Sequence, residues 1–231
     1  MTIIYDFDGT LTPYSMPQYN ILKKTKHSND EFLKLIKEKM KNENISLYDA
    51  YYETIKNLLI ENNISFTKEN ICLNSSNVEF NKGVLDFFNK FKSEVSGIKH
   101  YIVTSGFEDY IMETPINKYV DGIYGTTFNN NSNGEYTTIN RLMTDQYKVN
   151  AIKCIVQKEN DNNIIYFGDG LTDELAFQYV KEIGGTTVFV AGDMDNNANL
   201  NNLTKKNLIN KVFETDFSIN SNIYKFIENL K

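Results

Sequence analysis

Four short stretches of this 231-residue sequence carry side chains able to do chemistry together. The first is Asp6-Phe7-Asp8-Gly9-Thr10, which follows the β-rich run Thr2-Ile3-Ile4-Tyr5. Two carboxylates two residues apart lie on one face if the extended backbone persists. Such a pair can divide labour, one acid staying ionised as nucleophile or metal ligand while the other exchanges a proton. An Asp-x-Asp tripeptide by itself also caps turns. The second stretch, Thr104-Ser105-Gly106, ends a strand in hydroxyls just before a helical run beginning near Phe107. Free N–H groups and a hydroxyl at such a point make a phosphate-sized anion site, although Thr-Ser-Gly is an ordinary helix cap too. The third is Lys148, near the start of a helix carrying Val149, Ile152, Ile155 and Val156; nothing local separates it from Lys153 or Lys158. The fourth is Gly168-Asp169-Gly170-Leu171-Thr172-Asp173, two acids four residues apart behind an apolar strand. Oxygen ligands in that arrangement suit a hard cation such as Mg²⁺.

The elements that must position these groups alternate in type. Thr2–Tyr5, Ile98–Thr104, Ile164–Phe167 and Thr186–Val190 read as strands, separated by segments of helical period. That alternation predicts a parallel sheet with helices on both faces. Ile164–Phe167 and Thr187–Val190 are apolar on both sides, as central strands are. Residues 13–80 contain no clear strand. They offer two helices instead, one opening at Ser28 with Glu31 three residues later and presenting Phe32, Leu35, Ile36 and Met40 on one face. The other starts near Ser46 and aligns Tyr48, Tyr51, Tyr52, Ile55, Leu58 and Leu59. A further helix carries Val84, Phe87, Phe88 and Phe91, and Asn133-Gly134 marks a hairpin between Tyr124–Thr127 and Tyr136–Ile139, an addition to a parallel plan. The Asn-dense pieces 129–131 and 196–202 read as loops.

The composition excludes several classes of protein. With 41% hydrophobic and 23% charged residues the chain has material for a packed core. A net charge of −6 supplies no field to draw in nucleic acid or an anionic membrane, so neither is expected as a partner. Asp6 arrives before a signal-like apolar stretch could form, and no run of 18 apolar residues occurs, so a cytoplasmic location is expected. Cys72 and Cys154 are too far apart in sequence for a CxxC pair and read as buried, reduced thiols. His27 and His100 read as structural.

Each of the four stretches is common; the ordered set, each placed at a strand end or a helix start, is not. Together they resemble the haloacid dehalogenase-like (HAD) superfamily: DxDGT matched by Asp6 to Thr10, a strand ending in Thr or Ser matched by Thr104, a lysine for which Lys148 is best placed, and GDGxxD matched by Gly168 to Asp173. The resemblance covers essentially the whole chain, and the helical insert after the first motif is similar to the C1 cap of the phosphoserine phosphatase branch. It implies an α/β fold with a Rossmann-like three-layer α/β/α core, a mainly parallel sheet, and a small helical cap inserted after the first strand. Residues 1–12 and 81–231 would form the core domain and 13–80 the C1-type cap.

The resemblance further implies that Asp6 attacks phosphorus to give an aspartyl-phosphate while Asp8 protonates the leaving alcohol and then activates water. Mg²⁺ would be held by Asp6, the Asp8 carbonyl and Asp169, with Asp173 as a further or outer acid. Thr104, Ser105, Gly106 and Lys148 would hold the phosphoryl oxygens. Asp8 favours phosphate esters over halides, because an alkoxide leaving group needs a proton and a halide does not. The expected partner is a small phosphorylated metabolite. Phosphoryl transfer to another acceptor uses the same groups, and noncatalytic binding of a phosphorylated ligand uses the same fold. Phosphoserine is disfavoured, since Pro13-Tyr14-Ser15-Met16 follows the first motif and Arg141 is the only arginine, leaving no fork to grip a carboxylate in the cap. The tyrosine-rich insert and Met16 would suit a substrate with an aromatic or apolar portion, provided Tyr51 and Tyr52 do not face the interior of the insert.

Overall fold

A computed structural model describes residues 1–93, 97–192 and 197–230. The chain begins with β1 (Thr2–Tyr5) and then enters α1 (Met16–Tyr19), α2 (Ile21–Thr25), α3 (Asn29–Glu43), α4 (Leu47–Glu61) and α5 (Lys68–Cys72). It returns through α6 (Val84–Ser93) to β2 (Lys99–Phe107), then α7 (Glu108–Met112), β3 (Gly122–Asn130) and β4 (Tyr136–Arg141). The remainder runs α8 (Asp145–Glu159), β5 (Ile164–Gly168), α9 (Glu174–Glu182), β6 (Thr186–Ala191), α10 (Asn197–Lys205), β7 (Lys211–Glu214) and α11 (Asn222–Glu228). Among these residues no helix is long and apolar enough to cross a membrane.

The seven strands form one sheet in the order β4-β3-β2-β1-β5-β6-β7, parallel except for β4 against β3. Alternation along each strand sends neighbouring side chains to opposite faces. Ile3, Tyr5, Ile165 and Phe167 pack with Phe87, Phe88 and Phe91 of α6 and Ile223 and Ile227 of α11. Ile4, Ile164 and Tyr166 pack with Ile152 and Ile155 of α8 and Ala176 and Phe177 of α9. The result is the expected three-layer α/β/α arrangement, and β5 and β6 are both central strands.

The helices of residues 13–80 form where local chemistry favours them. Ser28 and Glu31 complete a reciprocal capping box at α3, the Ser28 hydroxyl accepting from Glu31 N and Glu31 accepting from Ser28 N. The Ser46 hydroxyl accepts from Asp49 N at α4. The hairpin is more than an addition: Phe128 of β3 and Tyr136 of β4 join Phe66, Tyr52 and Phe107 in an aromatic cluster with ring centroids 4.7 to 6.3 Å apart. Tyr136 N also donates to Phe66 O at 2.8 Å. This cluster fixes the helical segment against the sheet, with interaction energy beyond area burial for each edge-to-face pair.

Three expectations are corrected. Cys72 is only partly buried and Cys154 is exposed, because Cys154 lies on the solvent side of α8, away from Ile152 and Ile155. Residues 197–202 are helical, since Leu200 and Leu203 stand one turn apart and pack on the sheet, while Asn196 lies outside the described residues. Asn129 and Asn130 end β3 and pair with β4, so only Asn131 of that trio lies in the turn.

His100 is structural and fully buried. Its Nδ1 lies 3.2 Å from the Tyr5 hydroxyl, its Nε2 has no partner among the described residues, and its ring packs against Phe88. Burial pushes the imidazole down to about 4, with Asp121 opposing. An unfolded histidine binds a proton from about 6.5 downward. Stability contributed by neutral His100 is therefore complete above about pH 6.5 and is lost as pH falls towards 4, amounting to about 3 kcal/mol. Urea unfolding of wild type and His100→Gln should diverge by that amount across this interval; parallel pH profiles would rule out this account.

Candidate active site

Parallel strands present their C-terminal ends to one edge of the sheet, and β2, β1 and β5 are neighbours there. The chain leaves β1 towards β2 and β3 on one side, then returns to β5 on the other. Such a reversal opens a crevice at the strand ends. Asp6 and Asp8 follow β1, Thr104 to Gly106 lie near the end of β2, and Asp169 follows β5. Three stretches far apart in sequence therefore meet in one place.

Asp6 continues the β1 backbone, its N–H donating to Phe167 O at 2.8 Å, and its carboxylate is buried. The chain then turns at Gly9, which has φ +81°, a conformation glycine adopts at little cost. A methyl group there would sit 2.3 Å from Asp169 Oδ2, so Gly9 also makes room for that acid. Gly168 does the same for Asp173, whose Cγ would lie 2.6 Å from a Cβ at that position. Met16 N donates to Asp8 Oδ1 at 2.9 Å, fixing the second acid from the start of α1. Thr10 donates to Asp169 Oδ1 at 3.2 Å.

Lys148 is the best-determined group of the site. It is 0% exposed, and its ammonium lies 2.7 Å from Asp173 Oδ1 and 3.2 Å from Asp6 Oδ1. Burial opposes its charge, but Asp173 and Asp6 more than offset this and raise its pKa. Lys153 and Lys158 are instead exposed, and lie over the rings of Tyr179 and Tyr101. Asp173 is fully engaged, since Oδ1 also accepts from Tyr166 at 2.7 Å and Oδ2 accepts from Asp169 N and Gly170 N. Tyr166 is a polar partner that the sequence hides, because its strand reads as uniformly apolar.

Thr104, Ser105 and Gly106 do not open a helix. They belong to β2, which runs on to Phe107 with a register shift against β3 between Val103 and Phe107, and α7 is a single short turn beyond it. The irregularity lets this segment leave regular pairing. Gly106 N donates to Thr104 Oγ1 at 3.0 Å, Thr126 Oγ1 donates to Ser105 O at 3.0 Å, and Ser105 Oγ has no partner among the described residues. Arg141 pairs with Glu108 and donates to Gly125 O at 3.0 Å, holding β4, β3 and the end of β2 together.

The electrostatics favour a cation. Carboxylate oxygens of Asp6, Asp169 and Asp173 lie within 4.8 Å of one another, and Lys148 can neutralise one of these charges. Asp6 Oδ1 is buried without an aligned hydrogen bond. Burial raises Asp6 to about 6 against the pull of Lys148, and raises Asp169 well above the ordinary carboxylate range with Asp173 and Asp6 adding to the effect. A set of hard oxygen donors suits Mg²⁺, and Asp6 and Asp169 fit it best because Asp173 is occupied by its four donors. Burial and the Asp6 charge push Asp8 up to about 8, so it retains a proton at neutral pH.

Asp8, Ser105 and Gly106 form the floor of a cavity of about 230 Å³ between α3, α4 and the end of the sheet. Tyr51 lines it, with its ring edge-on to Phe32 and Phe107. Tyr52 touches the cavity but is mainly packed into the aromatic cluster with Phe66 and Phe128. The Met16 side chain is buried in the core, so Met16 serves Asp8 through its backbone only.

No protein-family model and no curated protein matches the sequence. Solved structures do. A HAD family hydrolase from Salmonella enterica serovar Typhi superposes with a TM-score of 0.68 at 16% identity over 92% of this chain, which spans 66% of that one. A phospho-aspartyl intermediate analogue of phosphoserine phosphatase gives 0.68 at 14% identity, covering 100% of this chain and 98% of the other. A phosphoserine phosphohydrolase-like protein from Francisella tularensis gives 0.61 at 17%, covering 100% and 99%. The chain thus has the HAD-like fold that these structures share.

Removing the Lys148 ammonium leaves Asp6 and Asp173 buried beside each other, at a cost of about 3–5 kcal/mol. Lys148→Met should lower the urea midpoint accordingly, and adding Asp173→Asn should recover part of the loss. Equal, additive losses would show that the pair is not coupled.

Proposed function

We propose that the protein is a Mg²⁺-dependent phosphatase that hydrolyses a small-molecule phosphate monoester through a phosphorylated Asp6. The observation that carries this reading is the juxtaposition of Asp6 and Asp8 with a fully buried lysine at the ends of three adjacent parallel strands. Asp6 and Asp169 are suited to hold the metal, with the Asp8 carbonyl, and the ion would supply charge stabilisation at the phosphoryl oxygens.

The remaining groups divide the work. A carboxylate oxygen of Asp6 attacks phosphorus as the bond to the ester oxygen breaks, and protonated Asp8 delivers its proton to that oxygen. The Asp8 carboxylate then accepts a proton from water as the water oxygen attacks phosphorus, and the Asp6 carboxylate departs with inorganic phosphate formed. Lys148 contributes positive charge towards the phosphoryl oxygens and, tied to Asp173, is held in place beforehand. Thr104, the Ser105 hydroxyl and the backbone N–H groups there are donors for the same oxygens; an unpartnered buried hydroxyl supports this role for Ser105. Residues 13–80 act as a cap over the site, excluding water from the reacting group.

Phosphate release from simple esters should require Mg²⁺ and should fall by at least about 10⁴-fold in Asp6→Asn, while Asp8→Asn should lower turnover of alkyl phosphates by about 10²–10⁴-fold. Wild-type turnover matched by Asp6→Asn would exclude an aspartyl-phosphate route.

A further inference from the structure

We infer that the ester accepted by this site carries a compact, uncharged aromatic alcohol of about one ring. This inference rests on the phosphatase reading above and concerns what lies beyond the phosphoryl group. The cavity over Asp8 is walled on one side by Leu33 and Ile36 of α3 and by Leu47, Tyr48 and Tyr51 of α4. Phe107 and Leu142 face them from the sheet side. Among the described residues that line it, the charged side chains are Asp8 at the floor and Lys37, which is exposed to solvent.

Three features of this wall select the alcohol. First, its chemistry excludes ionic substituents. An ammonium or carboxylate on the alcohol would lose its hydration against leucine, isoleucine and phenyl surfaces and meet no charge besides exposed Lys37 and Asp8, which faces the phosphoryl group at the floor. Arg141, the chain's single guanidinium, is committed to Glu108 and Gly125 O and does not line the cavity.

Second, its size limits the occupant. An apolar cavity of roughly 150 Å³ accommodates a benzene ring. The 230 Å³ present here therefore fits a ring with the phosphoryl group at the floor. Third, its aromatic side chains are already oriented. The Tyr48 hydroxyl donates to Asp145 of α8, which ties α4 to the core. Tyr51 is held edge-on by Phe32 at 5.6 Å and Phe107 at 6.5 Å. A substrate ring can meet these rings in the offset or edge-to-face arrangements that aromatic pairs favour, which gives it a several-fold advantage over an alkyl chain.

The test compares kcat/KM of the full chain with Mg²⁺ on 2-phenylethyl phosphate, n-butyl phosphate, O-phosphoserine and O-phosphoethanolamine, with acetyl phosphate as a small activated control. The first four release primary alcohols, so their chemistry is alike and the pocket is what differs. The phenylethyl ester should exceed both charged esters by at least about 100-fold and the butyl ester several-fold. Leu47→Asp, a change at a partly exposed residue, and Tyr51→Ala should each lower the ratio of phenylethyl to acetyl phosphate turnover about tenfold or more. If acetyl phosphate is hydrolysed but a charged ester equals the phenylethyl ester, or neither variant moves that ratio, the inference fails while the phosphatase reading stands. A butyl ester as good as the phenylethyl ester would overturn the aromatic preference. Absence of Mg²⁺-dependent phosphate release from all five, acetyl phosphate included, would overturn the phosphatase reading and this one with it.

Discussion

An ammonium group taken out of water is stable only where carboxylates surround it, and carboxylates packed this closely are stable only beside a cation. Lys148, Asp6 and Asp173 satisfy each other in this way, on residues carried by α8, the end of β1 and the turn after β5. Their mutual requirement binds α8 to the ends of β1 and β5. It also dictates the glycines, because Gly9 and Gly168 stand where any side chain would displace Asp169 or Asp173. The turn after β5 is shaped by the same carboxylate, since Asp173 accepts from the backbone of Asp169 and Gly170.

Around that charged centre the structure places an apolar shell of two kinds. Beneath it, side chains alternate to the two faces of the sheet and meet helices on both sides. Above it, residues 13–80 are fixed to the hairpin by the Tyr52, Phe66, Phe107, Phe128 and Tyr136 rings. Phe107 belongs to both regions, ending the strand that carries Thr104 to Gly106 and walling the cavity above Asp8. Phe107 is thus a direct contact between the helical segment and the strand that carries Thr104 to Gly106. Low dielectric surroundings strengthen every charge interaction at the floor of the cavity.

Local signals in the chain were sufficient for much of this. Ser28 with Glu31 determined the start of α3, the alternation of strand-like and helix-like runs determined a parallel layered fold, and Asp6, Asp8, Asp169 and Asp173 were visible as acids at strand ends. These readings depend on interactions spanning a few residues, which adjacent sequence encodes directly. The loop reading of 197–202 failed because Leu200 and Leu203 gain their helical role by packing on the sheet.

Tertiary structure alone decided the rest. Lys148 is indistinguishable in sequence from Lys153 and Lys158, and only the meeting of α8 with β1 and β5 gives one of the three two buried carboxylates. Tyr166 reads as one more apolar strand residue until Asp173 arrives at its hydroxyl. Thr104 to Gly106 read as a helix cap until β2 runs on through them to Phe107, which pairs with Thr126 of β3. The sequence by itself determined which groups could do chemistry and which segments could be regular. Which groups share a site was set by contacts between residues far apart in the chain, whose energies no local pattern contains.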